Sequence, residues 1–205
     1  MNKARFIVTG TALASLIALT GCTSNSGPES MPGMDHGSSE ASASPSANST
    51  TSAHNAADVM FAQMMIPHHA QAVEMSDTIL AKKDMPAAVT DMAGKIKEAQ
   101  APEIEKMTTW LAGWNMPAMG SSEHTGHGMD GMLGEAELEK LKDAQGTEAA
   151  KLYLTQMIAH HEGAVTMAKT EIAQGQNPEA LQLGTDIVSA QEKEIQEMKD
   201  LLAGL

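Results

Sequence analysis

Cysteine, arginine and aromatic residues are nearly absent from this sequence. Cys22 is the only cysteine, Arg5 is the only arginine, and Phe, Trp and Tyr together make up 2% of the chain. One cysteine cannot form a disulfide within the chain or supply the several thiolates of a cysteine metal site. Acidic residues outnumber basic ones by 26 to 13, and the formal net charge is −13. Nucleic-acid binding needs clustered Lys and Arg on one face, so we exclude this class of partner.

Residues 1–21 are typical of a secretory signal peptide. Lys3 and Arg5 give a positive start, and residues 6–19 form an uncharged, mostly apolar run. This run is shorter than the roughly 20 residues of a membrane-spanning helix, so a retained anchor helix is the less favoured alternative. The run ends in Leu-Thr-Gly-Cys, which resembles the lipobox of bacterial lipoproteins. We therefore expect Cys22 to be lipidated and the lipid to hold the protein in the periplasm or at the outer face of the cell membrane.

Composition divides the remaining chain into a tether and a folded part. Residues 22–55 are rich in Ser, Ala, Gly, Pro and Thr, which bury too little apolar surface to fold, so we predict a disordered tether. Residues 56–205 are long enough for one compact domain. Within this domain we predict repeat one at 56–115, a linker rich in Met and His at 116–133, and repeat two at 134–205.

A shared motif identifies the two repeats. Residues 65–75 read Met-Ile-Pro-His-His-Ala-Gln-Ala-Val-Glu-Met, and residues 157–167 read Met-Ile-Ala-His-His-Glu-Gly-Ala-Val-Thr-Met, at an offset of 92. The same offset pairs Phe61 with Tyr153, so the match extends beyond the motif. We interpret this match as an internal duplication.

The apolar spacing in both repeats is helical. Phe61, Met65, His68 and Ala72 follow steps of three and four, as one face of a helix requires. Runs of alternating β-branched residues, which would indicate strands, are nearly absent. Each repeat therefore predicts a helical hairpin, and two hairpins predict an all-α four-helix bundle.

Local signals predict where these helices begin. Pro86 and Pro178 suit the first position of the second helix in each hairpin, the latter after a capping Asn177. We also predict a short helix after the linker, followed by a long helix that is capped by Thr147. Pro67 lies inside the first helical pattern, where it predicts either a kink or the true start of that helix.

The two Met-x-x-His-His motifs form the candidate metal site. On a helix, Met65 lies near both His68 and His69, because residues three and four apart are neighbours. Thioethers are soft ligands that select Cu(I), and by similar chemistry Ag(I), whereas imidazole suits copper, zinc and nickel. The candidate ligands in the helices are His68, His69, His160 and His161, supported by Met65, Met75, Met157 and Met167.

The positions around the histidines argue against an iron site. No Glu lies three residues before any histidine, as it does in di-iron bundles, and both motifs have Met there instead. Polar residues of the second helices are candidates for hydrogen bonds to the rings, with ordinary boundary residues as the alternative. These residues are Gln100 and Glu103 in repeat one, and Gln191 and Glu194 in repeat two.

Packing is the alternative explanation for the histidines and the methionines. The chain has few aromatic residues, and Met fills irregular gaps in a core well. We interpret Met60, Met92 and Met107 as packing residues. For the motif residues both explanations stay open at this point.

The linker and the tether carry further histidines and methionines that no core explains. An exposed Met in a Gly-rich segment has no packing role, and His-rich tracts are compositional signals of metal binding. An untuned low-complexity spacer is the alternative. The linker candidates are Met116, Met119, His124, His127, Met129 and Met132, and the tether adds Met31, Met34 and His36.

The pattern Phe-x-x-x-Met-Ile-x-His-His-x-x-Ala-Val-x-Met, which begins at Phe61 and is echoed from Tyr153, is similar to the bacterial domain-of-unknown-function family 305. The resemblance covers nearly all of residues 56–205. It implies a ferritin-like helical bundle, and it implies copper or silver binding outside the cytoplasm, which is linked to some members. The family often has an Asp three residues before the aromatic residue of each repeat. Here Asp58 is present, but Ala150 stands at the second position.

We therefore predict a non-enzymatic, lipid-anchored protein that binds copper ions, Cu(I) in preference to Cu(II), with silver as a surrogate. It would sequester these ions or exchange them with a donor or acceptor protein. Ligand imidazoles must be neutral, so binding should weaken as pH falls through about 6. A ferritin-like metal oxidase is the first alternative. A structural surface adaptor with core histidines, which would bind no metal, is the second.

Overall fold

The computed structural model describes residues 54–118 and 130–205, and these ranges form five helices. The predicted signal peptide, Cys22, the tether up to residue 53 and linker residues 119–129 lie outside the described residues. The prediction of an all-α protein is confirmed for the described part, where no helix is long and apolar enough to span a bilayer. The helices are α1 Ala56–Leu80, α2 Ala87–Gly113, α3 Glu135–Asp143, α4 Gly146–Gln174 and α5 Pro178–Ala203.

The long helices form two hairpins that meet along α1 and α4. α1 packs against α2, and α4 packs against α5, and the short connections make the helices of each hairpin antiparallel. α1 and α4 are also antiparallel, because the hydroxyl of Ser76 late in α1 lies 3.0 Å from that of Tyr153 early in α4. The short helix α3 rests against both α1 and α4. We call the contact between these two central helices the α1–α4 interface.

Two apolar clusters fill the protein interior, one towards each end of the α1–α4 interface. The first contains Met75 of α1, Met157 of α4 and Leu141 of α3. The second contains Phe61 of α1 and Ala168 of α4. Burial of one Met side chain stabilises the fold by about 1.5–3 kcal/mol. Methionines thus supply much of the core volume in a chain that has few aromatic residues.

The packing role predicted for three other methionines is confirmed for two of them. Met92 and Met107 are buried. Met60 is 60% exposed, so the prediction was wrong for this residue. It lies near the start of α1 on the side away from the core, a position that helical spacing alone did not distinguish from the core face.

Two helix starts follow the local sequence. Asn55 caps α1 by accepting from the backbone N–H of Asp58, whose carboxylate accepts from the Asn55 N–H in return. This reciprocal capping box satisfies backbone donors that the first turn of a helix leaves free. Asn177 caps α5 with Pro178 at the first helical position, as predicted.

Two local predictions differ from the structure, and of the two alternatives given for Pro67 one is excluded. Pro86 is the N-cap of α2 rather than its first residue, because its ψ of 129° is extended. Thr147 does not cap α4, because Gly146 adopts a φ of +52°, which glycine tolerates, and already begins the helix. Pro67 lies within α1 and does not mark its start. The contacts of α1 with three other helices outweigh the local cost of a proline in a helix interior.

Candidate metal centre

Four histidines meet at the middle of the α1–α4 interface. His68 and His69 come from α1, His160 and His161 come from α4, and none is more than 1% exposed. The rings of His68 and His160 form the inner pair, with centroids 3.7 Å apart and planes tilted by 38°. The ring centroids of His160 and His161 are 6.4 Å apart. We call these four residues the histidine centre.

Carboxylates from the outer helices hold the other two rings. His69 Nε2 lies 2.7 Å from Glu103 Oε2, and His161 Nε2 lies 2.9 Å from Glu194 Oε2. Because a carboxylate only accepts hydrogen bonds, each Nε2 carries a proton and donates it. In the neutral ring the lone pair is then on Nδ1. These contacts confirm that the glutamates bond the rings, whereas Gln100 bonds neither histidine.

Six of the eight ring nitrogens in the histidine centre form no hydrogen bond of normal geometry with the described residues, although the Asp130 backbone approaches the His68 ring. An unsatisfied buried polar group costs about 1–3 kcal/mol, and buried polar groups in native proteins are nearly always bonded. Histidines kept only for packing should therefore have found partners. The six nitrogens are Nδ1 and Nε2 of His68 and of His160, and Nδ1 of His69 and of His161.

Burial keeps the inner histidines neutral. Burial, and after it the nearby His69, lower the pKa of His68 to about 3. Burial, followed by the effect of His68, also lowers the pKa of His160 well below its usual value. A neutral imidazole keeps a lone pair free for a metal ion, whereas protonation would remove it. The inner rings can therefore accept a cation at neutral pH without first losing a proton.

The end of the linker covers the histidine centre. The backbone of Asp130 lies near the His68 ring and acts against the lowering of its pKa. At Gly131, whose φ is +87°, a Cβ would lie 2.5 Å from the carbonyl oxygen of Ala159. At Gly163, a Cβ would lie 1.7 Å from the carbonyl oxygen of Asp130. Only glycine fits at either position, so the linker backbone approaches α4 closely beside the histidines.

Gln71 holds the same segment from α1. Its Nε2 donates to the carbonyl of Leu133 at 3.0 Å, and its Oε1 accepts from the Leu133 N–H at 2.8 Å. Gln71 and Gly163 occupy equivalent positions in the two sequence repeats. This covering segment was not predicted from the sequence, although a Gln in one repeat and a Gly in the other indicated that the two positions face different neighbours.

The predicted methionine ligands have three different environments. Met65, Met75 and Met157 are fully buried. Met167 and Met132 are half-buried, and Met116 is exposed. The remaining candidates, Met119, His124, His127, Met129, Met31, Met34 and His36, lie outside the described residues.

No group of three or more His, Cys, Asp or Glu side chains in residues 54–118 and 130–205 is arranged to hold a metal ion. Structural zinc sites need four such ligands in a tetrahedron. The histidine centre is therefore not a preformed tetrahedral site. An ion bound there would have to accept few imidazoles, or accept thioethers as well.

A buried pair of carboxyl groups lies at one end of the α1–α4 interface. Asp58 accepts from the backbone N–H groups of Gln176 and Asn177, both at 2.9 Å. Glu171 is 1% exposed, contacts the Asp58 carboxyl and receives no N–H or O–H bond from the described residues. Burial and then Asp58 raise the pKa of Glu171 to about 8. Burial alone would raise the pKa of Asp58, but its hydrogen bonds lower it, so Glu171 is the carboxyl group that stays protonated at neutral pH.

The fold and the histidine centre together define a class of small all-α proteins, in which two helical hairpins bring paired histidines to their common interface. The family described as Domain of unknown function (DUF305) matches residues 58–202. The chain belongs to this family, which confirms the resemblance found in the repeated motif.

Solved structures of this class are similar to the chain. A DUF305 protein from Streptomyces coelicolor that is predicted to be secreted is 38% identical, with a TM-score of 0.67 over 72% of this chain and 93% of that one. CopM in its Cu(I)-bound form is 32% identical, with a TM-score of 0.60 over 72% of this chain and 96% of CopM. CopM has also been solved with Cu(II) and with Ag.

A shorter match is found with an uncharacterized protein of Acanthamoeba polyphaga mimivirus, which is 44% identical over 52 residues. The match spans 25% of this chain and 34% of the viral protein.

Proposed function

We propose that this protein binds monovalent copper at the histidine centre, with Ag(I) as a surrogate ion and with weaker binding of Cu(II). The observation that carries the proposal is the set of six buried ring nitrogens that form no hydrogen bond of normal geometry with the described residues. A soft cation would bond them and remove the cost of leaving them unsatisfied. The similarity to CopM, which has been solved with Cu(I), Cu(II) and Ag, supports an ion of the copper class.

The hydrogen bonds to the outer rings assign their ligand atoms. Glu103 and Glu194 fix the proton of His69 and His161 on Nε2, which leaves Nδ1 of each ring as the ligand atom. A carboxylate behind a ligand imidazole also raises its basicity and fixes its orientation. The outer rings are thus oriented before any metal arrives.

The inner rings and two thioethers complete the proposed site. His68 and His160 are neutral because burial lowers the pKa of both. Met65 and Met157 lie one helical turn before them and are fully buried. Their thioethers favour Cu(I) over harder ions.

We propose a binding role rather than an oxidase role for this site. Di-iron bundles surround their ions with Glu side chains, whereas Glu103 and Glu194 here bond histidine rings. The absence of a three-ligand His, Cys, Asp or Glu group from the described ranges supports the same conclusion. We propose that the fold is a ferritin-like four-helix bundle to which α3 has been added.

We propose that the protein lies outside the cytoplasm and is anchored to a membrane by a lipid attached to Cys22. The support is the lipobox-like sequence before Cys22 and the predicted secretion of the Streptomyces relative. The linker histidines and methionines would then capture ions and pass them to the histidine centre. A donor or acceptor protein would complete the exchange.

The proposal is tested by melting the full chain with Cu(I) under reductant, with Ag(I), with Zn(II) and without metal, while bound ions are counted. A ligand at a hundred times its Kd that binds only the folded state stabilises it by about 2.7 kcal/mol. We expect a large rise in Tm with Cu(I) and Ag(I) and a small one with Zn(II). Oxygen consumption during Cu(I) loading would instead favour the oxidase.

The matched variants replace one pair of histidines at a time. His69→Asn with His161→Asn should abolish most of the rise in Tm with Cu(I), whereas His124→Asn with His127→Asn in the linker should retain it. An equal rise in both variants would overturn the proposal. If the first variant does not fold, the Nδ1 NMR signals of His69 and His161 in the unaltered chain should shift with Ag(I), and unchanged signals would contradict the site.

A further inference from the structure

Two grooves open to solvent at the end of the α1–α4 interface that contains Asp58. Met60, Met64 and Met167 line the first groove, beside Phe61 and Glu171. The second groove is lined by His54, Met60 and Met116. Met60 therefore borders both grooves, and five soft donor groups lie along one continuous strip of surface. We call His54, Met60, Met64, Met116 and Met167 the thioether strip.

The methionines of this strip are set apart from those of the core. Six methionines of the described residues are not buried, and four of these six belong to the thioether strip. Buried methionines fill gaps between helices, but Met60, at 60% exposure, fills no gap. Packing therefore explains the buried methionines and also Met167, which packs against the second apolar cluster, but it does not explain the exposed Met60 and Met116.

Hydrogen bonds hold the backbone that carries Met116 beside α1. Gln63 Nε2 donates to the carbonyl of Pro117 at 2.7 Å, and the Met116 N–H donates to the carbonyl of Leu111 at 2.9 Å. These bonds hold Met116 against the same side of α1 as Met60. The backbone of Met116 is thus positioned before an ion binds, which lowers the entropy lost on bringing this ligand to the site.

His54 is held by aromatic stacking. Its ring stacks on Trp114, with centroids 4.5 Å apart and an angle of 12° between the planes. Trp114 in turn stacks on Trp110 with a centroid distance of 6.0 Å. The imidazole of His54 therefore stands next to the thioethers although it precedes the first helix.

The sequence repeat supplies an internal comparison for the strip. The positions equivalent to Met60 and Met64 hold Leu152 and Gln156. Leu152 packs against the cluster that includes α3, and Gln156 donates to the carbonyl of Glu137 in α3 at 3.3 Å. At these positions repeat two thus has a covered surface without thioethers. Met60 and Met64 are therefore particular to repeat one, whereas Met167 is the repeat-two equivalent of Met75.

We propose that the thioether strip is a second binding site for monovalent soft ions, Cu(I) or Ag(I), with Met60 as the ligand common to both grooves. Thioethers with imidazole select such ions, and thioethers are poor ligands for Mg²⁺, Ca²⁺ or other hard cations. The site is open to solvent, whereas the histidine centre is buried. Its existence does not depend on the histidine centre, and the experiment below tests the two sites separately.

The experiment follows isotope-labelled methionine methyl groups by NMR in the full chain during titration with Ag(I). Single Met→Leu variants assign the signals. The methyl signals of Met60, Met64, Met116 and Met167 should shift, while that of Met85, a half-buried methionine outside the strip, should stay unchanged. Unmoved strip signals would overturn the proposal whatever the linker methionines do.

Met60→Leu tests the shared ligand, with Met85→Leu as the matched control. Loss of Met60 should weaken the Ag(I) affinity reported by the Met64, Met116 and Met167 signals by at least about tenfold, as loss of metal-site partners commonly does. Met85→Leu should leave that affinity unchanged. An unchanged response of the three signals in Met60→Leu would refute a shared site.

The chain with His69→Asn and His161→Asn separates this proposal from the proposed function. The strip signals should respond to Ag(I) in that variant as in the unaltered chain. If they no longer respond, the strip is not an independent site and the inference fails. If they respond while the unaltered histidine centre binds no ion, the proposed function fails and the strip remains.

Discussion

The two ends of the α1–α4 interface occupy equivalent positions in the sequence repeat, yet their chemistry differs. At the carboxyl end, Asp58 and Glu171 are buried in contact with each other, and the pKa of Glu171 is raised to about 8. At the other end, the equivalent positions hold Ala150 and Ile79, and both are fully buried in an apolar cluster. The carboxyl end also carries the open thioether strip.

The second end has its own polar pair. The hydroxyls of Ser76 and Tyr153 lie 3.0 Å apart and are buried, so we call it the hydroxyl end. The equivalent positions at the carboxyl end are Ala168 and Phe61, which pack without a hydrogen bond. α3 packs over the hydroxyl end through Leu141.

The middle of the interface is the same in both repeats, whereas the two ends differ. The histidine pairs and the glutamates behind them are alike in both repeats, and the two pairs meet at the middle of the interface. The two ends face different neighbours, and each acquired its own polar pair. One end is closed by a helix, whereas the other is open and contains a group that titrates near neutral pH.

The largest expected effect is a loss of stability in acid, caused by the inner rings of the histidine centre. The pKa of His68 is about 3 in the folded chain, whereas the ordinary value for a histidine, which applies in the unfolded chain, is 6.5. The pKa of His160 is also lowered. Between these pH values the unfolded chain binds more protons than the folded chain, so stability falls as pH drops from 6.5 towards 3. Each histidine contributes up to about 1.4 kcal/mol per pH unit.

Denaturant unfolding of the metal-free chain at pH 7, 6 and 5 measures this loss. Replacement of His68 and His160 by Asn should flatten the dependence, because the titrating groups are then absent. A free energy of unfolding that stays constant from pH 7 to pH 5 in the unaltered chain would contradict neutral inner histidines.

The next effect concerns the end of the linker, which covers the histidine centre and lies against Gly163 of α4. Gly163→Ala places a Cβ 1.7 Å from the carbonyl oxygen of Asp130, so the covering segment must move. We expect a loss of about 1–3 kcal/mol, the usual cost of overpacking. In Gly94→Ala, where nothing lies within 4 Å of the new Cβ, we expect a gain of about 1 kcal/mol from helix propensity. Equal gains in both variants, measured by urea unfolding, would show that the segment does not press on α4.

Much of this architecture was predictable because it depends on local periodicity. Steps of three and four gave the long helices, and the two Met-x-x-His-His motifs gave the four central histidines. The carboxylates behind the rings were also predicted, since Glu103 and Glu194 lie on the apolar stripe of the facing helix.

Contacts between distant segments were not predictable from spacing. Nothing local to Glu171 shows that it meets Asp58, because the contact depends on how α4 lies against the start of α1. The contact between the Asp130 carbonyl and Gly163 similarly depends on the path of the chain before α3, which spacing does not predict. Met60 was misassigned to the core because its exposure is set by the absence of a covering helix at that end among the described residues.

Glu171→Gln tests the carboxyl end. The folded pKa of Glu171 is about 8, above its ordinary 4.5, so its contribution is fully present below pH 4.5 and is lost as pH rises towards 8. Glutamine can still donate to Asp58 but does not titrate. We expect the variant to be about 1–2 kcal/mol more stable than the unaltered chain at pH 9, with a smaller difference at pH 5.

The control for this prediction is Glu162→Gln on the exposed face of α4, where the carboxylate lies 3.3 Å from Lys199 Nζ. An exposed ion pair contributes at most about 1 kcal/mol, and we expect its loss to be the same at pH 5 and pH 9. If Glu171→Gln behaves like this control, Glu171 is not the carboxyl group that stays protonated at neutral pH.

The smallest expected effect is at the hydroxyl end, where Tyr153→Phe recreates the aromatic residue of the other repeat. The variant leaves the buried Ser76 hydroxyl without its partner, so we expect a loss of about 0.5–1.5 kcal/mol. Because burial raises the pKa of Tyr153, this loss should not change between pH 5 and pH 9. Addition of Ser76→Ala removes the orphaned hydroxyl and reproduces the Phe61 and Ala168 pair, and should recover most of the stability. A double variant as unstable as the sum of the two single variants would mean that the hydroxyl end requires its polar pair, and that the two ends are not interchangeable even in their packing.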